Sequence, residues 1–113
     1  MNIEHPYTID AISINVANAT CTLTIVDHLK WDRLHLDILQ AKINYYLRWI
    51  ETGEIYLQYP HAAGFEFRIH IAAIFAPDES ALAFLARAQE VLNASGFHIT
   101  VGALASNYAE IPQ

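Results

Sequence analysis

Hydrophobic and polar residues alternate in four short segments of the chain, and this period of two predicts four β-strands. Residues two positions apart in a strand share a face, so each segment has one apolar and one polar side. The first two segments are separated only by a short break at 17–19, and they therefore predict a hairpin. The four apolar sets are Ile12, Ile14 and Val16; Cys21, Leu23 and Ile25; Phe67, Ile69, Ile71, Ala73 and Phe75; and Phe97, Ile99 and Val101.

A helical period fits two longer segments between these strands. The first begins after Asp32, whose carboxylate can accept the free amide hydrogens of a first turn, and it ends near Gly53, which suits a left-handed cap. The second begins after Asp78 and ends at Gly96. Residues 54–64 predict a short helical turn followed by a loop.

The resulting order, β-β-α-β-α-β, predicts a two-layer α+β fold with a four-stranded mixed sheet and two helices on one face. A chain of 113 residues fits a single domain. We expect its ordered core at about residues 8–104 and a C-terminal tail at 105–113, which lacks any periodicity. Right-handed crossovers with both helices on one face favour the strand order 2-1-3-4.

The long first helix carries two apolar stripes, and only one is needed to cover a sheet. Leaving the second in water would forgo about 1.5–3 kcal/mol of burial for each large side chain. Either the 55–60 segment or the tail folds back over the second stripe, or a second copy of the chain packs against it. We assign the sheet side to Leu36, Leu39, Ile43, Leu47 and Ile50, and we place a candidate homodimer interface at Leu34, Ile38, Tyr45 and Trp49, on the same stripe as Ala41.

A second candidate site lies on the face of the sheet that points away from the helices. Arg68, His70 and His98 share this face in the predicted sheet, and arginine offers a fixed fork of donors for a small anion. An ordinary solvated sheet face is the alternative, because small-molecule sites are usually concave. A zinc ion at the two histidines would lack a third protein ligand, so we predict no metal and no other cofactor.

Catalytic motifs are absent from the sequence. There is no glycine-rich phosphate loop and no Gly-x-Ser-x-Gly elbow, and the six histidines lack metal-ligand spacing. Asp27 precedes His28, and Asp32 precedes His35 by three positions, but helix capping and structural ion pairs give the same pattern. The sequence therefore favours a non-enzymatic protein and indicates no catalytic residue.

The composition of the chain limits the kinds of partner that we expect it to bind. The net charge is −6, and the six Lys and Arg residues are scattered, which argues against nucleic acid and anionic membranes. Charged residues make up 16% of the chain against about 25% in ordinary domains, which indicates apolar surface that a partner covers. The single cysteine, Cys21, is expected to be a buried small residue. No secretory signal is visible, so we expect a cytoplasmic protein.

A set of short motifs spans most of the chain. Together they resemble a family of small bacterial proteins classified as a domain of unknown function. The resemblance implies no activity, cofactor or catalytic residue; its recurring Tyr-Pro…Gly segment directs attention to residues 54–64, although a loop locked onto the helix explains these residues equally well. The motifs are Asp27-His28-Leu29 with Trp31, Leu39-Gln40, Lys42-Ile43-Asn44, Tyr46-Leu47, Ile50-Glu51-Thr52-Gly53-Glu54-Ile55, Tyr59-Pro60 with Gly64, and Ala94-Ser95-Gly96-Phe97.

Overall fold

The structure is a computed structural model that describes residues 2–109. In this range the chain forms a four-stranded sheet with helices packed on one face. The α+β fold class is confirmed, and the end of the predicted tail, 110–113, lies outside the described residues. The elements are β1 (Ala11–Asn15), β2 (Thr20–Asp27), α1 (Arg33–Glu51), α2 (Glu54–Gln58), a 3-10 turn (Pro60–Ala62), β3 (Glu66–Ala73), α3 (Glu79–Asn93) and β4 (His98–Ala103).

The strands lie in the order β1-β2-β3-β4, so the predicted order 2-1-3-4 is wrong. The sheet is mixed, as predicted: β1 and β2 are antiparallel, and β2–β3 and β3–β4 are parallel. β2 pairs with β3 over eight residues, from Thr20↔Glu66 to Asp27↔Ala73. β1 has only five residues and no fully buried one. The longer and more buried strand therefore takes the inner position, and the short one forms the edge.

The predicted helix starts are confirmed by their capping bonds. The Asp32 carboxylate accepts the His35 backbone N–H over 2.8 Å, and the Asp78 carboxylate accepts the Ala81 N–H over 2.8 Å. Gly53 follows α1 with φ +80°, the left-handed conformation that glycine adopts at low cost. The short helical turn expected at 54–64 is also confirmed, as α2 and the 3-10 turn.

The core lies between α1, α3 and the sheet face formed by alternate strand residues. Leu23, Ile25, Ile69 and Ile71 are fully buried on this face. Cys21 is buried among them, as expected, and burial raises the pKa of its thiol to about 11. The thiol therefore stays neutral at ordinary pH and behaves as a small apolar side chain.

Candidate functional site

The buried face of α1 is centred between the two predicted stripes. Its middle consists of His35, Leu39, Lys42, Tyr46 and Trp49, which follow each other at helical spacings of three and four. Of these, His35, Lys42 and Tyr46 carry polar groups and belong to neither apolar stripe, so hydrophobicity alone does not place them on the buried face. The helix therefore has one broad buried face rather than two opposite apolar sides.

Lys42 is fully buried on this face and holds the N-terminal segment, which we define as residues 2–10. Its Nζ donates to the backbone carbonyl oxygens of Asn2 (2.8 Å), His5 (2.7 Å) and Thr8 (3.2 Å). It also donates to the Asp10 carboxylate over 2.7 Å, and that carboxylate is fully buried too. The buried charge is thus paired and hydrogen-bonded, which a charge inside a protein requires.

Asp10 and Tyr46 extend this contact to the sheet. The second oxygen of Asp10 accepts the Val26 N–H over 2.9 Å. The Tyr46 hydroxyl accepts the Asp10 N–H (3.0 Å) and donates to the Thr24 carbonyl (3.1 Å). Burial is the main cause that raises the pKa of the Tyr46 phenol, so the hydroxyl remains a donor. The network joins the N-terminal segment, β2 and α1.

A second buried pair joins the end of β2 to the start of α1. Asp27 and His35 lie 2.5 Å apart between Oδ2 and Nε2, and both side chains are buried. The His35 Nδ1 lies 3.0 Å from the Lys30 carbonyl oxygen, which can only accept, so this nitrogen donates. The Trp31 ring stacks on His35 at 4.2 Å, and its Nε1 donates to the Phe75 carbonyl over 2.9 Å.

This pair differs from the two that the sequence suggested. Asp32 caps the helix through the backbone of His35, and His28 lies 3.4 Å from Glu4 rather than against Asp27. Both ring nitrogens of His35 are occupied, and its side chain is closed to solvent. The cluster at the helix entrance is therefore structural, and it offers no free base to a substrate.

The four predicted interface residues have different environments. Leu34 is 68% exposed, whereas Ile38 and Tyr45 are half-buried. Trp49 is only 6% exposed, and the Tyr59 ring meets it edge-on at 6.4 Å. For Trp49, the alternative in which the 55–60 segment folds back over the helix is therefore confirmed, and this side chain belongs to the core of one chain.

An aromatic cleft lies beside these residues, between the N-terminal segment, β1 and α1. Its volume is about 600 Å³, and its aromatic lining is Tyr7, Tyr45, Trp49 and Tyr59. Tyr7 is 70% exposed, and its ring packs edge-on against Tyr45 at 6.0 Å. The sequence pattern reveals neither Tyr7 nor the cleft, because an isolated aromatic residue before the first strand follows no period. We call Tyr7, Leu34, Ile38 and Tyr45 the flank surface.

The predicted polar sheet face is also present. Arg68 aligns with His98 on the neighbouring strand, and His70 aligns with Thr100. The His70 Nδ1 lies 2.7 Å from the Thr100 hydroxyl. The His98 Nε2 lies 3.2 Å from the Glu66 carboxylate, which is half exposed on the same face. The structure thus brings the three predicted residues onto one face and adds a negative group that weakens its attraction for an anion.

Within residues 2–109, no three His, Cys, Asp or Glu side chains lie close enough to hold a metal ion. None of the helices described there is long and apolar enough to cross a membrane.

Fold and site together define a two-layer α+β domain with a buried Lys42–Asp10 ion pair, a buried Asp27–His35 contact and an aromatic cleft beside an edge strand. The chain belongs to DUF6572, a family of unknown function, whose sequence model matches residues 1–105. This confirms the resemblance to a domain of unknown function. No curated protein and no solved structure matches the chain.

Proposed function

We propose that this protein is a non-enzymatic protein-interaction domain that works as a homodimer through the flank surface. The observation that carries the proposal is the exposure of Tyr7 (70%) and Leu34 (68%) on the side of the molecule where Ile38 and Tyr45 are only half covered. Covering such a side chain stabilises a complex by about 1.5–3 kcal/mol before the cost of association. Tyrosine is also enriched at protein interfaces.

The chemistry of the cleft supports a binding role over a catalytic one. Asp10 contributes to its lining, but the Asp10 carboxylate is committed to Lys42 and to the Val26 amide. The other polar side chains there are Thr8, Gln58 and the tyrosine hydroxyls. Such groups form hydrogen bonds, but they are weak nucleophiles and bases unless a neighbour activates them. A bacterial origin and a cytoplasmic location stay predictions from the sequence.

Light scattering after size exclusion, at micromolar concentration, tests this proposal. The wild-type protein should have twice the 12.7 kDa mass of one chain. The double variant Tyr7→Ser, Leu34→Ser should shift toward the single-chain mass. Val91→Ser is the matched control, because Val91 is 69% exposed on α3 and lies outside the flank surface. A wild-type monomer, or a dimer that the double variant leaves intact, would contradict the proposal.

Anion binding by the open sheet face is the second candidate. The alignment of Arg68 with Thr22 and His98 across three strands favours it, because these side chains can donate together to one anion. Phosphate should then raise the thermal midpoint of the wild type more than that of Arg68→Gln. Equal shifts in the two proteins would remove this candidate.

A further inference from the structure

The two edges of the sheet differ in how they are covered. At the β4 edge, the Gln89 side chain occupies the position of a further strand. Its Oε1 accepts the Ile99 N–H over 2.7 Å, and its Nε2 donates to the Phe97 carbonyl over 3.1 Å. Because the Gln89 amide already pairs with the Ile99 N–H and the Phe97 carbonyl, another strand cannot pair with these two groups.

The directions of the N–H and C=O groups of β1 follow from those of the neighbouring strand, β2. Val26 at the end of β2 uses its N–H and C=O toward the β1 side, where they meet the Asp10 carboxylate and the Ile3 N–H. Since alternate residues of a strand direct these groups to opposite neighbours, Thr22 and Thr24 also bond toward β1.

Their partners on β1 are Ser13 and Ala11, whose groups therefore point toward β2. Ile12 and Ile14 direct their N–H and C=O groups outward. No hydrogen bond to these four groups is found within residues 2–109. β1 also carries no lysine, proline or charged residue, which are the usual protections of an exposed edge.

We infer that β1 pairs antiparallel with the β1 of a second copy about a two-fold axis at Ser13, which joins the two sheets into one. The inference rests on the proposed homodimer and specifies how it forms. In this register Ile12 lies opposite Ile14 of the second copy, and the outward groups of these residues form four hydrogen bonds across the axis.

The residue pattern of β1 fits this self-pairing. Ile12 and Ile14 are half-buried on the side that packs against the core, so the pairing brings isoleucine against isoleucine there. Ser13 is exposed and meets its own copy on the polar face. A symmetric contact requires a self-complementary surface, and the strand sequence Ala-Ile-Ser-Ile-Asn has that property about its centre.

The aromatic cleft adjoins this edge of the sheet. Ala11 and Ile12 of β1 form part of its lining, next to Tyr7. A second copy added to β1 would therefore lie next to the cleft. Tyr7 and Tyr45 of the flank surface line the same cleft as Ala11 and Ile12 of β1.

A disulfide at the axis tests the register. Residues of a non-hydrogen-bonded antiparallel pair have Cα atoms about 4.5 Å apart, which lies within the span of a disulfide. Ser13→Cys under mild oxidation should give a covalent dimer on a non-reducing gel. Thr100→Cys is the matched control, because Thr100 is exposed on the same sheet face but on β4; it should stay largely single-chain, as should the wild type with its buried Cys21.

The mass of the protein in solution separates the possible failures. A dimeric sample in which Ser13→Cys cross-links no faster than Thr100→Cys would overturn the strand pairing and leave the proposed homodimer intact. A monomeric sample would overturn both. A third outcome is a wild-type protein that does not self-associate but is retained by an immobilised extended peptide, while Ile14→Pro is not retained. This outcome would show that the β1 edge binds another partner, and it would also overturn the inference.

Charge exchange at the same position provides a second test that does not depend on oxidation. Ser13→Glu and Ser13→Lys each place two like charges beside the two-fold axis. The dimer of each variant should therefore dissociate at a higher protein concentration than the wild-type dimer. An equal mixture should form the mixed dimer, detected by native mass spectrometry. Random pairing in the mixture would contradict the register.

Discussion

Lys42 on α1 donates a 2.7 Å hydrogen bond to the Asp10 carboxylate, and both side chains are fully buried. The same ammonium group binds three carbonyl oxygens of the N-terminal segment. This side chain therefore helps to hold the segment that leads into β1 and that carries Tyr7, together with the bonds of Ile3 and Asp10 to Val26. The geometry of the proposed interface depends on a contact in the core.

Removal of Lys42 should destabilise the fold strongly. Lys42→Met leaves the Asp10 carboxylate buried without its cation, which typically costs about 3–5 kcal/mol. Urea denaturation measures the loss. Lys30→Met is the control, because Lys30 is exposed and its replacement should change the free energy of unfolding little. A loss for Lys42→Met no larger than that for Lys30→Met would contradict the role assigned to the pair.

Asp27→Ala should destabilise the start of α1 by leaving the His35 Nε2 without its buried hydrogen-bond partner. The expected cost is about 1–3 kcal/mol. Trp31 fluorescence should change as well, because the indole stacks on the His35 ring. Asp32→Ala, which removes only the helix cap, is expected to cost about 1 kcal/mol and to leave the stacking in place. Identical fluorescence in all three proteins would argue against the stacked arrangement.

Trp49→Ala should destabilise the fold of the single chain rather than act on its assembly alone. A buried tryptophan replaced by alanine costs about 3–5 kcal/mol, whereas Leu34→Ala at an exposed helix position should change the stability of the monomer by less than about 0.5 kcal/mol. Chemical denaturation at a dilution that favours monomer makes this comparison. A mild effect at Trp49 would mean that Tyr59 does not cover it.

The Cys21 thiol should be unreactive in the folded protein. Its pKa rises from 9.0 to about 11 on burial, so the folded state disfavours the thiolate. This contribution of Cys21 to the free energy of unfolding is fully present below pH 9. It is lost as the pH rises from 9 toward 11, because the thiol of the unfolded chain ionises first. Alkylation at pH 8 should be slow in buffer and fast in denaturant. Equal rates in both would show that Cys21 is accessible.

Local patterns predicted the elements well, and their limits have identifiable causes. Alternation located the four strands, while Asp32 and Asp78 marked where helices begin. Lys42 could not be recognised as buried, because three of its acceptors are carbonyl oxygens more than thirty positions away in the sequence. His35 is a similar case, since only the fold brings Asp27 against it.

The strand order and the candidate site were also hard to predict from the sequence, because both depend on contacts between distant parts of the chain. Crossover rules alone put β1 inside the sheet, whereas the eight-residue match between β2 and β3 decides the order. Of the predicted stripe, Leu34 is exposed and Ile38 and Tyr45 are half-buried, and their role in an interface stays a prediction. Coverage of Trp49 by the 55–60 segment was one of the alternatives that the sequence left open, and the Tyr59 contact decides it. The open edge of β1 follows from the strand order and was not visible in the sequence.

Sedimentation equilibrium of the unmodified protein tests the central claim most directly. Across micromolar concentrations we expect a mass approaching twice the 12.7 kDa of one chain, falling toward the single-chain value on dilution. A mass that stays at 12.7 kDa over the whole range would contradict the homodimer and, with it, the pairing of β1 about Ser13.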